Sequence, residues 1–238
     1  MKLASFDLEI AAVVPPDVKD WAELPDLGIS CAAVAFSDRD DVRFWSAEPR
    51  LSATGAADLV RDLQAIVGEG YRLVTWNGCA FDFRILAQES GLVADAGRLA
   101  LDHVDLMLMV TFSQGHYLGL HKALLGAGLT GKLKQVRLSD GNVLEDMDGS
   151  KAPLLWAQGE HDAVLAYLEQ DVVQQLALAG VVAQRRAIQW TSNRGAAQVA
   201  RFSGLLSVQE CFALPEPDTS WMSDPPTRQQ FVDWMGAG

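Results

Sequence analysis

Apolar and polar positions alternate and cluster along this chain in a way that predicts a mixed α/β domain. Residues 3–10 form an apolar run interrupted by acids at Asp7 and Glu9. Read as a strand, this run points both carboxylates to one face, with Leu8 turned to the other. Residues 28–36 and 42–46 read as two further strands joined by the polar turn at 37–41. A helix over 56–67 leads to a strand at 72–76, and the turn pair Asn77-Gly78 hands that strand over to a helix around 83–90. The short apolar run 104–110 fits a fifth strand or the start of a helix equally well. From Trp156 to about residue 188 apolar side chains recur every three or four positions, at Leu165, Leu168, Val172, Leu176 and Ala179. That period predicts one long helix, with Gly180 the place for a kink or break. Between these elements, residues 11–26, with Pro15, Pro16 and Pro25, read as a long loop over the end that carries the acids, placed to line a groove. Residues 140–153 read as a plain connector of turns.

Placed on these elements, three short strings carry the candidate chemistry: Phe6-Asp7-Leu8-Glu9, Asn77-Gly78-Cys79-Ala80-Phe81-Asp82, and Tyr167-Leu168-Glu169-Gln170-Asp171. Asp82 falls where a strand gives way to a helix, the place where sites are built in α/β sheets. Tyr167 and Asp171 are four apart on a helix and share a face. Singly, each string has an ordinary explanation: solvated surface acids, a core tyrosine beside an exposed aspartate, a turn with a capping aspartate. Their order and the elements they occupy make the case. Four carboxylates from separate elements suit a pair of hard divalent cations, which favour oxygen ligands and, about 3.5–4 Å apart, stabilise the attacking and leaving oxygens of a phosphoryl displacement. Tyr167, with a reference pKa of about 10, is a poor base at neutral pH and better suited to orienting the attacking water.

The three strings resemble motifs I, II and III of the DEDD superfamily of 3′-to-5′ exonucleases. They fit its tyrosine-containing branch, which includes the proofreading exonuclease domain of family B DNA polymerases and ribonuclease D. The histidine branch requires a His where Ala166 stands. The resemblance covers about residues 3–182 and includes the segment Asp102-His103-Val104-Asp105-Leu106 between motifs II and III. It implies a ribonuclease-H-like mixed five-stranded sheet flanked by helices over 1–190, followed by a C-terminal extension over 191–238. It also implies an exonuclease that uses two Mg²⁺ or Mn²⁺ ions and releases nucleoside monophosphates from a single-stranded 3′ end, DNA slightly favoured over RNA. On this reading Asp7, Glu9, Asp82 and Asp171 hold the ions and Tyr167 completes the catalytic set. Asn77 and Phe81 shape the pocket for the terminal nucleotide.

Composition changes the picture in one respect. The 238 residues are 49% hydrophobic and 21% charged, enough for one full core, but the net charge is −12. A polyanion should be repelled by such a surface. Two acid-free windows offset this: 106–139, with Lys122, Lys132, Lys134 and Arg137 beside His116, Tyr117 and His121, and 172–209, with Arg185, Arg186, Arg194 and Arg201 beside Trp190. Lys132, Lys134 and Arg194 are the expected substrate contacts, suited to phosphate binding beside stacking aromatics. Ordinary helix-surface cations explain either window equally well. No basic start followed by an unbroken apolar stretch is present, so a cytoplasmic location and no membrane partner are expected. Cys31, Cys79 and Cys211 lack metal-type spacing. The tail from residue 213, with four prolines and with Trp221, Phe231 and Trp234, is too apolar for free disorder and is expected to fold back on its domain, or else to anchor a protein partner. Two other classes stay open: a silent binding module on the same sheet, and a hydrolase of small phosphate esters.

Overall fold

The computed structural model describes residues 1–15, 18, 24 and 26–236. The expected loop at 11–26 falls in large part on residues outside this set. Its described base is closed by the Ala11 and Ala12 N–H groups, both donating to the Leu27 carbonyl.

A five-stranded mixed sheet forms the centre, built from β1 (Lys2–Ile10), β2 (Ile29–Phe36), β3 (Val42–Ser46), β4 (Tyr71–Thr75) and the two-residue β5 (Val104–Asp105) in the order β3-β2-β1-β4-β5. The first three strands pair antiparallel, while β4 runs parallel to β1 and to β5. Every residue of β2 is buried, as expected of a strand covered on both faces. On one face lie α1 (Ala53–Gly68), α2 (Asp82–Ser90) and α3 (Val93–Asp102), whose apolar sides meet Phe6 and Leu8 in the main core. The Ser52 hydroxyl caps α1 by accepting from the Gly55 N–H. Fully buried Phe6 packs on Phe83 with ring centroids 5.6 Å apart, so its truncation to Ala would cost about 3–5 kcal/mol.

The run at 104–110 resolves into both of its alternatives. Two residues complete the sheet and α4 (Leu106–Gln114) follows at once, because the Asp105 carboxylate caps it by accepting from the Met107 and Leu108 N–H groups. Next come α5 (Leu120–Ala127) and a small hairpin of β6 (Val136–Arg137) and β7 (Val143–Leu144). The long helix expected from 156 is two helices, α6 (Ala152–Ala157) and α7 (His161–Arg185). Gly159, at φ 83°, turns the chain between them, and α7 continues through Gly180.

The other face of the sheet is covered by α7. Cys31, Ala33 and Ala35 of β2 are small there, so the helix approaches closely and buries Tyr167, Leu168 and Val172 against them in a second core. Asp7 pairs with Ala33 and Glu9 with Cys31 across the ladder, which puts both acids on this face.

After α7 the chain forms a hairpin of β8 (Ala187–Thr191) and β9 (Ala197–Arg201), a feature not read from the sequence, and the expected boundary at 190 falls inside β8. β8 packs on α5 so tightly that a Cβ on Gly126 would lie 1.8 Å from the Gln189 carbonyl oxygen. A short helix, α8 (Val208–Cys211), precedes the tail, which ends in two 3₁₀ turns at Gln229–Phe231 and Asp233–Gly236. Phe231 enters the main core, and the Trp234 Nε1–H donates to the Cys79 carbonyl. Among the described residues, no helix is long and apolar enough to cross a membrane.

Candidate active site

A cleft of about 510 Å³ opens beside the carboxyl ends of β1 and β4. Asp7, Glu9, Tyr167, Asp171 and Lys132 line it, with Trp76, Phe81 and Leu120 forming an apolar wall. The motif I acids reach it from β1, and motif III from α7. Asp82, at the first turn of α2, stands against Asp7: the Leu8 N–H donates to Asp7 Oδ1 and to Asp82 Oδ1, 3.0 Å from each. Sharing this one donor brings the two carboxyls side by side.

The electrostatics follow from crowding acids in a buried place. Burial first, and then Asp171, push the Asp7 carboxyl from 3.8 up to about 6. Burial and the Asp7 charge raise Asp82 well above the carboxylate range, and burial with the charges of Asp7 and Asp171 does the same to Glu9. Asp171 is likewise raised by burial, against the opposing pull of Lys132. The Lys132 ammonium lies 2.6 Å from Asp171 Oδ2 and 5.0 Å above the Tyr167 ring. Although burial opposes its charge, Asp171 and Tyr167 raise its pKa, so it stays protonated. Tyr167 is raised in turn by burial and by Asp171, which keeps the phenol protonated.

Two buried oxygens in the cleft, the Tyr167 hydroxyl and Asp171 Oδ1, have no hydrogen-bond partner among the described residues. Buried orphans of this kind call for a ligand or ion. Four carboxylates face one ammonium, and the donors are all hard oxygens, so the set fits a divalent cation of the Mg²⁺ class by its chemistry. In their present orientations, no three His, Cys, Asp or Glu side chains among the described residues form a group that could hold an ion. Lys132 supplies the counter-charge at Asp171.

Sequence reasoning missed two residues. Gln175 is buried, donates through Nε2 to Asp7 Oδ2 at 2.9 Å and accepts from the Ser5 hydroxyl through Oε1. Its signal was available, since it lies four beyond Asp171 and eight beyond Tyr167 on the same helix face. Asp105, fully buried, clamps motif II: its carboxylate accepts from the Asn77 and Cys79 N–H groups as well as from the two that begin α4. Asn77 holds the left-handed φ of 70°, and Gly78 follows because a Cβ there would lie 2.4 Å from the Thr75 hydroxyl.

Of the expected substrate contacts, Phe81 and Lys132 line the cleft, Asn77 sits in the motif II turn, Lys134 is on the exposed surface nearby, and Arg194 lies in the β8–β9 turn, on a separate groove. The segment expected to be a plain connector is corrected. Its Gly149, Ser150 and Pro153 line the cleft, and a Cβ on Gly149 would lie 3.8 Å from Glu9 Oε2, because the β6–β7 hairpin turns the chain back over the acids.

A mixed sheet in this order, with acids converging at the ends of its parallel strands, defines a protein of the ribonuclease-H-like class. Residues 25–183 match the model of the RNase_H superfamily, and the chain belongs to that superfamily. Among solved structures, it is similar to the family B DNA polymerase of the archaeon Pyrobaculum calidifontis, with 20% identity and a TM-score of 0.50 over 76% of this chain and 24% of the polymerase. It is also similar to RNase D of Trypanosoma brucei, with 16% identity and a TM-score of 0.53 over 99% of this chain and 74% of that one. The chain thus spans about a quarter of the polymerase's length. A comparison with curated protein sequences found no match.

Proposed function

We propose that this protein is a divalent-metal-dependent 3′-to-5′ exonuclease that acts on single-stranded nucleic acid and releases nucleoside monophosphates. The observation that carries the reading is the convergence of Asp7, Glu9, Asp82 and Asp171 with the buried Tyr167 hydroxyl, unpartnered among the described residues, around one cleft. When bound by the four carboxylates, two Mg²⁺ or Mn²⁺ ions would supply positive charge for the phosphate and for the oxygens that attack and leave it.

The rest of the chemistry belongs to the chain. Water attacks phosphorus in line, a new P–O bond forms, and the bond to the 3′ oxygen breaks. The shortened strand keeps a 3′-hydroxyl, and the released unit carries the phosphate. Tyr167, held protonated by burial, donates its hydrogen to orient the attacking water and does not act as a base. Lys132 fixes the face of the Tyr167 ring and balances Asp171. Gln175 holds Asp7 in one orientation, and the apolar wall of Trp76, Phe81 and Leu120 receives the terminal base.

The test is a time course on 5′-labelled single-stranded DNA and its RNA counterpart, with Mn²⁺ and with EDTA, and with Asp7→Ala as control. A ladder shortening from the 3′ end, lost in EDTA and in the variant, supports the reading, and the faster strand identifies the preferred sugar. If neither strand shortens, the reading fails.

A further inference from the structure

Beyond the acidic cleft, the molecule has a second groove of about 430 Å³, formed where α5, the β8–β9 hairpin and the C-terminal tail meet. Its lining includes His116, Tyr117, Lys122, Trp190, Arg194 and Trp221, and no acidic side chain among the described residues. The first three come from one acid-free window of the sequence and the next two from the other, so the fold brings together two positive segments 68 positions apart, counted from Lys122 to Trp190. In a chain of net charge −12, that convergence marks a local site for an anion.

The aromatic groups are arranged for stacking. Trp190 forms the floor, with His116 edge-on to it at 5.9 Å. Trp221 stands over the groove 67% exposed, with its Nε1–H tied to the Asp218 carbonyl, an unusual exposure for a tryptophan whose one polar atom is already satisfied. Tyr117 is 53% exposed, and its hydroxyl accepts from Gln230 of the tail. Lys122 donates to the Asn193 side chain, which ties α5 to the hairpin turn. Exposed aromatic faces alternating with cations are the physical requirement for holding unpaired bases and their phosphates without reading sequence.

The groove and the cleft both reach the start of α5. Gly119 lines the groove and Leu120, the next residue, lines the acidic cleft. We infer that this groove binds the single-stranded nucleic acid upstream of the reacting 3′ end, with Trp221 and Tyr117 stacking on bases and Lys122 and Arg194 contacting phosphates. This deepens the exonuclease reading and rests on it. It also accounts for the tail: its last turns are packed into the core, and Trp221 is the part left facing the strand.

The experiment measures binding of 5′-fluorescein-labelled dT12 and rU12 by anisotropy in EDTA, to wild-type protein, Trp221→Ala and Lys122→Ala, with folding checked by circular dichroism. Both side chains are exposed, and the two variants perturb different elements. Each should bind about tenfold more weakly than wild type, the loss expected for one stack or one phosphate contact. Lys122→Ala should also reduce the salt slope by about 0.7. Wild-type affinity in both variants, or wild-type protein binding dT3 as tightly as dT12, would overturn the groove. Adding Mn²⁺ to the same samples separates the two claims. Shortening with variant-insensitive binding removes only the groove, whereas variant-sensitive binding without shortening keeps the groove and removes the nuclease.

Discussion

Gln175 Nε2 donates to Asp7 Oδ2 at 2.9 Å, linking α7 to β1 across 168 residues of sequence. A carboxylate held by a neutral amide keeps its charge and loses its freedom to rotate. Groups of this kind, which orient a metal ligand, cost about 10–100-fold in affinity or activity when removed. Gln175→Ala should lower kcat by at least tenfold and raise the Mn²⁺ concentration for half-activity by a similar factor, with little change in substrate KM. A variant with an unaltered metal titration would reduce Gln175 to packing.

The raised Asp7 carboxyl makes one separable contribution to the pH dependence, beside those of Glu9, Asp82, Asp105 and Asp171, which are raised in the same direction. Its folded pKa of about 6 lies above the ordinary 3.8, so the folded state takes up the proton more readily. This stabilisation is full below pH 4 and is lost as pH rises through 6, by about 2–3 kcal/mol. Asp7→Asn should therefore melt higher than wild type at pH 8 in EDTA and gain little at pH 4. Because an ion must displace the Asp7 proton, the Mn²⁺ concentration for half-activity should fall as pH rises through about 6.

Tyr167→Phe removes the buried hydroxyl and keeps the ring under Lys132. Removal of an orienting donor, with the four acids retained, should slow turnover by roughly 10–100-fold without abolishing it. Single-turnover rates would show this directly, and complete inactivity would assign the phenol a larger part.

Lys132 compensates Asp171, whose side chain is only 2% exposed. Lys132→Met should destabilise the protein by about 3 kcal/mol at pH 8 in EDTA, since a buried charge loses its partner. Both acid, which protonates Asp171, and Mn²⁺ should restore much of the loss. Thermal melts at two pH values with and without metal measure this, and a melting point equal to wild type in all four would show that the pair contributes nothing.

Trp234→Phe removes the hydrogen bond to the Cys79 carbonyl in the motif II turn. The expected cost is about 1 kcal/mol. Turnover should fall with it, since Asp82 follows that turn by three residues. An unchanged melting temperature would show that the bond is not needed to hold motif II.

Much of the site was legible because its signals are local. Alternation along residues 3–10 puts Asp7 and Glu9 on one face, helix spacing aligns Tyr167 with Asp171, and Asn77-Gly78 announces the turn before Asp82. These are consequences of strand and helix periods, and they hold wherever the elements sit. The same reasoning reaches the five strands of the central sheet with α1, α2 and α7, but not α3, α5 or the β6–β7 hairpin, and it misses Gly159, whose single left-handed residue divides a continuous apolar period into two helices. The β8–β9 hairpin was read only as a basic window, since its exposed strand faces carry no strong alternation.

Everything that depends on which element meets which was decided by the tertiary structure. Small residues on β2 let α7 come close enough for Gln175 to reach Asp7. The hold of Asp105 on the Asn77 and Cys79 N–H groups, the pairing of Lys132 with Asp171, and the meeting of two positive windows at Trp190 all join segments far apart in the chain. The raised carboxyls are of the same kind, because a pKa responds to burial and to neighbouring charges that exist only once the chain has folded. Periodicity assigns a side chain to a face; packing alone determines what stands opposite it.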